Sequence, residues 1–187
     1  MSKEIWKPGN MLYPLPVVMV SCADSDGRAN IITIAWTGTI CTNPPMVSIS
    51  VRPERYSYNI IKETGEFVIN LTTRKLAYAT DYCGVVSGRD VDKFDKLGLT
   101  KGKAEHVNVP MIAESPVNIE CRVKDIIPLG SHDMFLAEVL AVHADEQYKD
   151  EKGKFCLENA EPIMYSHGDY LVCGEKLGKF GYSIKKK

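Results

Sequence analysis

Most of the residues that form a candidate site lie between Asn30 and Ser57. The run "NIITIAWTGTIC" places Asn30, Thr33, Thr37 and Thr39 beside Trp36 and Cys41, and "VRPERYSYNIIKE" follows with Arg52, Arg55, Tyr56 and Ser57. Read as one extended strand, the first run puts Thr33, Ala35, Thr37, Thr39 and Cys41 on one face. Ile32, Ile34, Trp36 and Ile40 fall on the other. A row of hydroxyls beside accessible backbone can cradle a flat heterocycle whose rim carries donors and acceptors, and Asn43-Pro44-Pro45 would turn the chain next to it. Threonine is equally at home on the solvated face of any strand, and the pattern alone favours that plainer reading.

The second run opens a helix expected over Glu54 to Thr64. Helix N-termini expose unpaired N–H groups and the positive end of the helix dipole, so Arg52, Arg55 and Ser57 there would suit a phosphate. An ordinary capped helix with surface arginines accounts for the same residues, and on these residues alone it is the simpler reading. Lys93 and His132 are further cations whose position no spacing rule supplies.

Several other chemistries are excluded. No Gly-x-Gly-x-x-Gly follows a strand, and "GLTKGK" is too short for a P-loop and lacks its Ser or Thr. Ser131, His132 and Asp133 are adjacent in an expected strand, where neighbours point to opposite faces, so they form no catalytic triad. His106, His132, His143 and His167 have no metal-ligand spacing. Cys22, Cys41, Cys83, Cys121, Cys156 and Cys173 include no Cys-x-x-Cys pair and read as reduced thiols, several of them buried as small hydrophobes.

These residues need elements to hold them. Strands are expected at Val17 to Cys22, Asn30 to Ile40 and Met46 to Val51, the first two joined by a hairpin turn in which Asp26-Gly27 supplies positive φ. Within the helix Tyr56, Ile60 and Ile61 share a face, and Gly65 is the expected C-terminal cap. "EFVINL" returns to strand. Residues 74 to 98 read as helical or irregular, with breakers at Gly84, Gly88 and Gly98, and suit a lid or a dimer contact. Val117, Ile119, Cys121 and Val123 alternate with Asn118, Glu120, Arg122 and Lys124, which predicts a half-buried strand with its polar side to water. "HDMFLAEVLAVHAD" is its hairpin partner across Gly130. The whole is mainly β with inserted helices, an antiparallel barrel closed or nearly so, and no repeat or linker divides residues 1–187 into more than a single domain.

A chain of 187 residues with 44% hydrophobic composition has material for a real core. Its formal net charge of -1 supplies no field for nucleic acid. Lys185-Lys186-Lys187 reads as a solvated, frayed tail. No apolar run reaches the roughly 18 to 20 residues of a membrane span, and "MSKEIWKPGN" lacks the apolar core of a signal peptide, so a cytoplasmic location without a membrane partner is expected.

Four stretches together resemble the flavin reductase-like family with the FMN-binding split barrel, and within it the flavoredoxin type. They are "NIITIAWTG", "TNPPMVSISV", "RPERYSYNIIKETGEFVINL" and "GSHDMFLAEV". The resemblance implies a homodimer, each barrel holding one FMN near the subunit interface, with NADH, NADPH or a redox protein as electron donor. It implies that Asn30, Thr33, Trp36 and Thr37 line the flavin and ribityl chain, and that Arg52, Arg55, Tyr56 and Ser57 serve the flavin rim or the phosphate. Lys93 and His132 would add polar contacts, and Tyr165 an aromatic one. Cys41 would end the flavin-facing strand or be a buried structural thiol. Trp36 would be a core residue or meet the phosphate chain through its indole N–H. The flavin itself would carry the chemistry, with no protein catalytic residue and no metal. An FMN-bound electron carrier, an NAD(P)H:flavin oxidoreductase and a non-catalytic flavin-binding protein all fit; "NIITIAWTG" and "RPERYSY" argue against a pyridoxal-phosphate barrel.

Overall fold

The computed structural model describes residues 1–184, and the Lys185-Lys186-Lys187 tail lies outside the described residues. In chain order the strands are β1 (Leu15–Pro16), β2 (Val18–Ala23), β3 (Ala29–Ile34), β4 (Thr37–Cys41), β5 (Met46–Val51), β6 (Glu66–Leu71), β7 (Lys101–Gly102), β8 (Met111–Ile112), β9 (Val117–Pro128), β10 (Asp133–Ala144), β11 (Ile163–Ser166) and β12 (Asp169–Val172). The helices are α1 (Tyr56–Thr64), α2 (Ala77–Val85) and α3 (Lys93–Leu97).

Seven strands form one antiparallel sheet in the order β3-β2-β6-β9-β10-β5-β4. Consecutive strands β3 and β4 therefore lie at opposite edges, although only Ala35 and Trp36 separate them. Two residues cannot cross an open seven-stranded sheet, so the sheet must curl until its edges meet. The Ser50 N–H donates to the Trp36 carbonyl at 2.8 Å beside that seam. The result is a split antiparallel barrel.

Its interior is apolar. Val20, Ile49, Phe67, Cys121 and Phe135 are all fully buried there, and α1 adds Tyr58, Ile60 and Ile61. That face of α1 follows from the 3.6-residue period, and its end from Gly65, whose φ of 69° lets its N–H reach the Ile61 carbonyl. Strand β2 is buried along its whole length because both of its sides are covered. Val18, Val20 and Cys22 face the barrel, while Met19 packs with Ile31, Leu76, Cys83 and Phe94 beneath α2 and α3.

Two expectations are corrected. Asn30 to Ile40 is not one strand: the bend at Ala35 and Trp36 ends β3 and starts β4, so the alternation cannot run through it. The hydroxyl row dissolves with it. Thr33 Oγ1 donates to the Thr80 carbonyl at 2.5 Å, and Thr37 Oγ1 donates to the Ser48 carbonyl at 2.8 Å. Nor does the polar side of β9 meet water throughout. Asn118 and Glu120 are buried, because residues 104–112 fold over them and their side chains satisfy that segment's backbone. Glu120 accepts from the N–H groups of Glu105, His106 and Val107, and Asn118 Nδ2 donates to the Ile112 carbonyl.

Residues 74–98 are helical around a turn, packing α2 and α3 outside β3. Strands β1, β11 and β12 form a small separate sheet that carries Tyr165 and Tyr170. Among the described residues no helix is long and apolar enough to cross a membrane.

Candidate functional site

Two recesses meet where β3, the β5–α1 junction and the end of α2 come together. The outer one, about 480 Å³, is lined by Thr33, Trp36, Arg52, His132, Tyr165 and Tyr170 among others. The inner one, about 230 Å³, is lined by Asn30, Tyr56, Ser57, Arg89 and Lys93. Ile32, Arg55 and Gly84 border both, so the two are neighbours across a shared wall. A combined cleft of this size is in the range that holds a cofactor.

The inner recess is built from buried polar groups. Asn30 is only 3% exposed; its Nδ2 donates to Ser57 Oγ at 2.8 Å, while its Oδ1 is buried without a partner. Turning the amide over would exchange the two atoms and leave the amino group unpaired instead, so one strong polar atom is left open either way. An open buried polar atom is costly unless a ligand meets it.

Lys93 is also 3% exposed. It follows Asp92, whose carboxylate caps α3 by accepting from the Phe94 and Asp95 N–H groups, and that cap turns the lysine inward. Its Nζ donates to the Ile31 carbonyl at 2.6 Å and the Cys83 carbonyl at 2.9 Å, which leaves one N–H. Burial pulls the Lys93 pKa down, and Arg55 adds to that. The neighbouring thiols offer no negative charge: burial pushes Cys22 up to about 12 and Cys83 up to about 11. Among the described residues no carboxylate pairs with Lys93, Arg55 or Arg89. Unpaired cations gathered around a partly dry recess favour an anion.

The outer recess has flat walls. The rings of Trp36 and His132 are parallel within 9°, their centroids 6.0 Å apart, and Tyr165 sits between Tyr13 and Tyr170. His132 Nδ1 is 2.9 Å from Ser131 Oγ. Burial lowers the His132 pKa, and Arg52 and Arg55 lower it further, so the imidazole is neutral at neutral pH. The Tyr170 hydroxyl donates to Asp81 Oδ1 at 3.2 Å; burial first and then Asp81 push that phenol up to about 12. Arg52 stands at the rim, ion-paired with Glu54 at 3.1 Å.

The fold thus brings Asn30, Thr33, Trp36, Arg52, Arg55, Tyr56, Ser57, Lys93, His132 and Tyr165 to two adjoining recesses. Cys41 borders neither recess. Thr37 lies in a third hollow with residues 9–12. Trp36 is not a core residue, being 40% exposed, and it borders the outer recess rather than the cationic one. Sequence reasoning missed Asp81, Gly84, Gly88, Arg89 and Tyr170. Only "SGRD" held a signal, an arginine next to a glycine in a stretch rich in breakers.

A family model described as flavin reductase like domain matches residues 10–173. The flavoredoxin of Desulfovibrio vulgaris (Miyazaki F) is 33% identical, with a TM-score of 0.91 covering 98% of this chain and 100% of that one. The flavoredoxin from Methanosarcina acetivorans is 29% identical, with a TM-score of 0.87 and the same coverage. An uncharacterized protein of Aeropyrum pernix is 33% identical over 156 residues, 83% of this chain. The match spans 58% of that relative's own length.

Proposed function

This chain belongs to the flavin reductase like domain family, and from that premise we propose that it is an FMN-binding oxidoreductase of the flavoredoxin type, passing electrons through a retained flavin. The observation that carries the reading is the junction of the two recesses: a flat-walled chamber opens beside a smaller one whose cations have no carboxylate partner among the described residues. A planar ring joined through a polar chain to a phosphate has that same division.

The residues fit such a group. Lys93 and Arg55 would hold the phosphate, helped by the N-terminal turn of α1, where Ser57 is buried and Arg55 makes no capping bond with its side chain. The hydrogen-bonded Asn30–Ser57 pair would border the connecting chain. Trp36, His132 and Tyr165 would border the ring. Bound FMN supplies the one- or two-electron redox step. Arg52 would bring positive charge to the rim, favouring extra negative charge in the cleft, and Glu54 moderates it. His132, held neutral, offers an acceptor or donor without adding to that charge.

The test is an anaerobic titration of the FMN-loaded, dialysed protein with NADH and then NADPH, followed by flavin absorbance. The expected result is flavin retained through dialysis and bleached by a reduced redox protein. Rapid bleaching by a nucleotide would instead make the protein an NAD(P)H-dependent reductase, and loss of all flavin on dialysis would overturn the retained-flavin reading.

The same proposal includes a homodimer. Met11, Leu12 and Trp36 are exposed around a hollow that adjoins the outer recess, leaving apolar surface that a second copy would cover. Sedimentation of a monomer at micromolar concentration would remove that part.

A further inference from the structure

The wall of the outer recess is cationic or neutral except at one point. Of the residues that line it, Asp81 alone carries a carboxylate, and it grips no cation among the described residues. Arg52, on the same wall, is already matched by Glu54. Asp81 is exposed, so its charge meets solvent at the mouth of the recess.

Nothing in α2 itself asks for an acid there. Asp81 lies in the middle of the helix, past the first turn where the helix dipole favours a carboxylate. Asp81, Gly84 and Val85 have the spacing of one helix face, and that face borders the recess. The helix is set tightly on β3: the Thr80 carbonyl accepts from Thr33 Oγ1, and a Cβ at Gly84 would come within 3.3 Å of Thr33 Cβ. The side chain is held from the other wall. Tyr170 on β12 donates its hydroxyl to Asp81 Oδ1 at 3.2 Å, and Tyr170 is placed by its cross-strand partner Tyr165, ring centroids 5.9 Å apart. Burial and Asp81 push that phenol up to about 12, so it stays neutral at neutral pH. A carboxylate held by a neutral donor keeps its field, whereas an arginine partner would cancel most of it.

We infer that Asp81 is a specificity residue for the electron donor: its negative charge at the mouth turns away polyanionic donors, pyridine dinucleotides among them, and leaves the flavin to donors that are uncharged or basic where they approach. The inference rests on the reading of these recesses as an FMN site. A recess of about 480 Å³ that shares its space with a flavin ring cannot enclose a whole dinucleotide, so a dihydronicotinamide that entered would leave its pyrophosphate at the mouth. Lys93 and Arg55, matched by the flavin phosphate, would not draw that pyrophosphate in.

The experiment follows flavin absorbance anaerobically in FMN-loaded wild type, Asp81→Asn and Tyr170→Phe. The donors are NADH and N-benzyl-dihydronicotinamide, which share the reacting ring and differ in the phosphates. Each passes a hydride, two electrons with one proton, to the flavin and leaves as the pyridinium. The quantity read is the ratio of the NADH rate to the uncharged donor's rate, divided by the same ratio for free FMN. That quotient is expected to lie below one in the wild type and in Tyr170→Phe, which keeps the charge. In Asp81→Asn, which keeps an acceptor for Tyr170, it should rise by about threefold to tenfold at low ionic strength. The rise should fade above about 0.1 M salt, where the Debye length is about 10 Å. Calorimetric titration with tetrahydro-NAD, a reduced analogue that transfers no hydride, should show the same gain in affinity without turnover. An unchanged quotient and affinity in Asp81→Asn, or a rise in Tyr170→Phe as large as in Asp81→Asn, overturns the charge filter and leaves the FMN reading standing. A wild type that binds no FMN overturns the FMN reading and the filter with it.

Discussion

Gly88 sits directly on the side-chain amide of Asn30, close enough that a Cβ at position 88 would fall 2.1 Å from Oδ1. The same amide bonds Ser57 at 2.8 Å, so one asparagine joins strand β3, helix α1 and the α2–α3 connection. Those are three of the elements that enclose the inner recess.

Gly88→Ala is therefore expected to cost about 1–3 kcal/mol, the usual range for forcing extra volume into a packed site, and to weaken FMN binding by displacing Asn30. Urea unfolding and an FMN titration of the same variant check both. Wild-type values for stability and affinity would mean that the connection yields and that the contact positions nothing.

Glu120 gives the fold a pH dependence. Burial pushes its pKa up, but the Glu105 N–H, His143 and the His106 N–H together outweigh burial and hold the carboxyl below its usual range. The backbone N–H distances are 2.9 Å from Glu105, 2.6 Å from His106 and 3.1 Å from Val107, with His143 Nε2 at 2.5 Å. A folded pKa below the unfolded one, about 4.3, means stability that is present above that value and lost as pH falls through the folded pKa. Glu120→Gln is expected to lose about 1–3 kcal/mol at pH 7 and to show a flatter decline of stability below about pH 4. Urea midpoints from pH 7 down to pH 3 for both proteins decide it; parallel curves would acquit Glu120.

Arg52 is expected to tune the flavin rather than to anchor it. Its partner Glu54 lies 3.1 Å away, and both are largely exposed, so its charge is partly cancelled and screened. Arg52→Gln should lower the FMN midpoint potential by on the order of 20 mV, the equivalent of about 1 kcal/mol in a two-electron couple. A spectroscopic redox titration against a reference dye measures it. A potential that stays where it was would remove Arg52 from that tuning role.

The thiols should sort by burial. Desolvation pushes Cys22 up to about 12, Cys83 up to about 11 and Cys121 up to about 12, so all three are protonated and shielded. Cys173 is exposed, and Cys41 and Cys156 are partly so. Iodoacetamide at pH 8 followed by mass spectrometry is expected to modify only those last three in the native protein, and all six after unfolding in urea. Native labelling of Cys83 would reveal opening of the wall beside Lys93.

What could be read from the chain alone was whatever local physics decides. The apolar face of α1 and its Gly65 cap, the Gly27 and Gly130 turns, and the strands β2, β5, β6, β9 and β10 all follow from side-chain period and from the few residues that accept positive φ. The gathering of Arg52, Arg55, Tyr56 and Ser57 at a helix start was visible for the same reason, since consecutive residues travel together whatever the fold. Tertiary structure alone decided which surface each face would meet. Curling the sheet required β3 to leave its edge at Ala35 and Trp36, which ended the threonine row and turned Trp36 outward. Residues 104–112 covered Asn118 and Glu120 because backbone N–H groups far away in sequence needed acceptors. Lys93 and Arg89 came to line the same recess as Asn30 only because α2 and α3 dock on β3. A period or a cap is a free energy of neighbouring residues; burial, charge pairing and the cleft itself are free energies of contacts between distant ones, and they exist only once the barrel has closed.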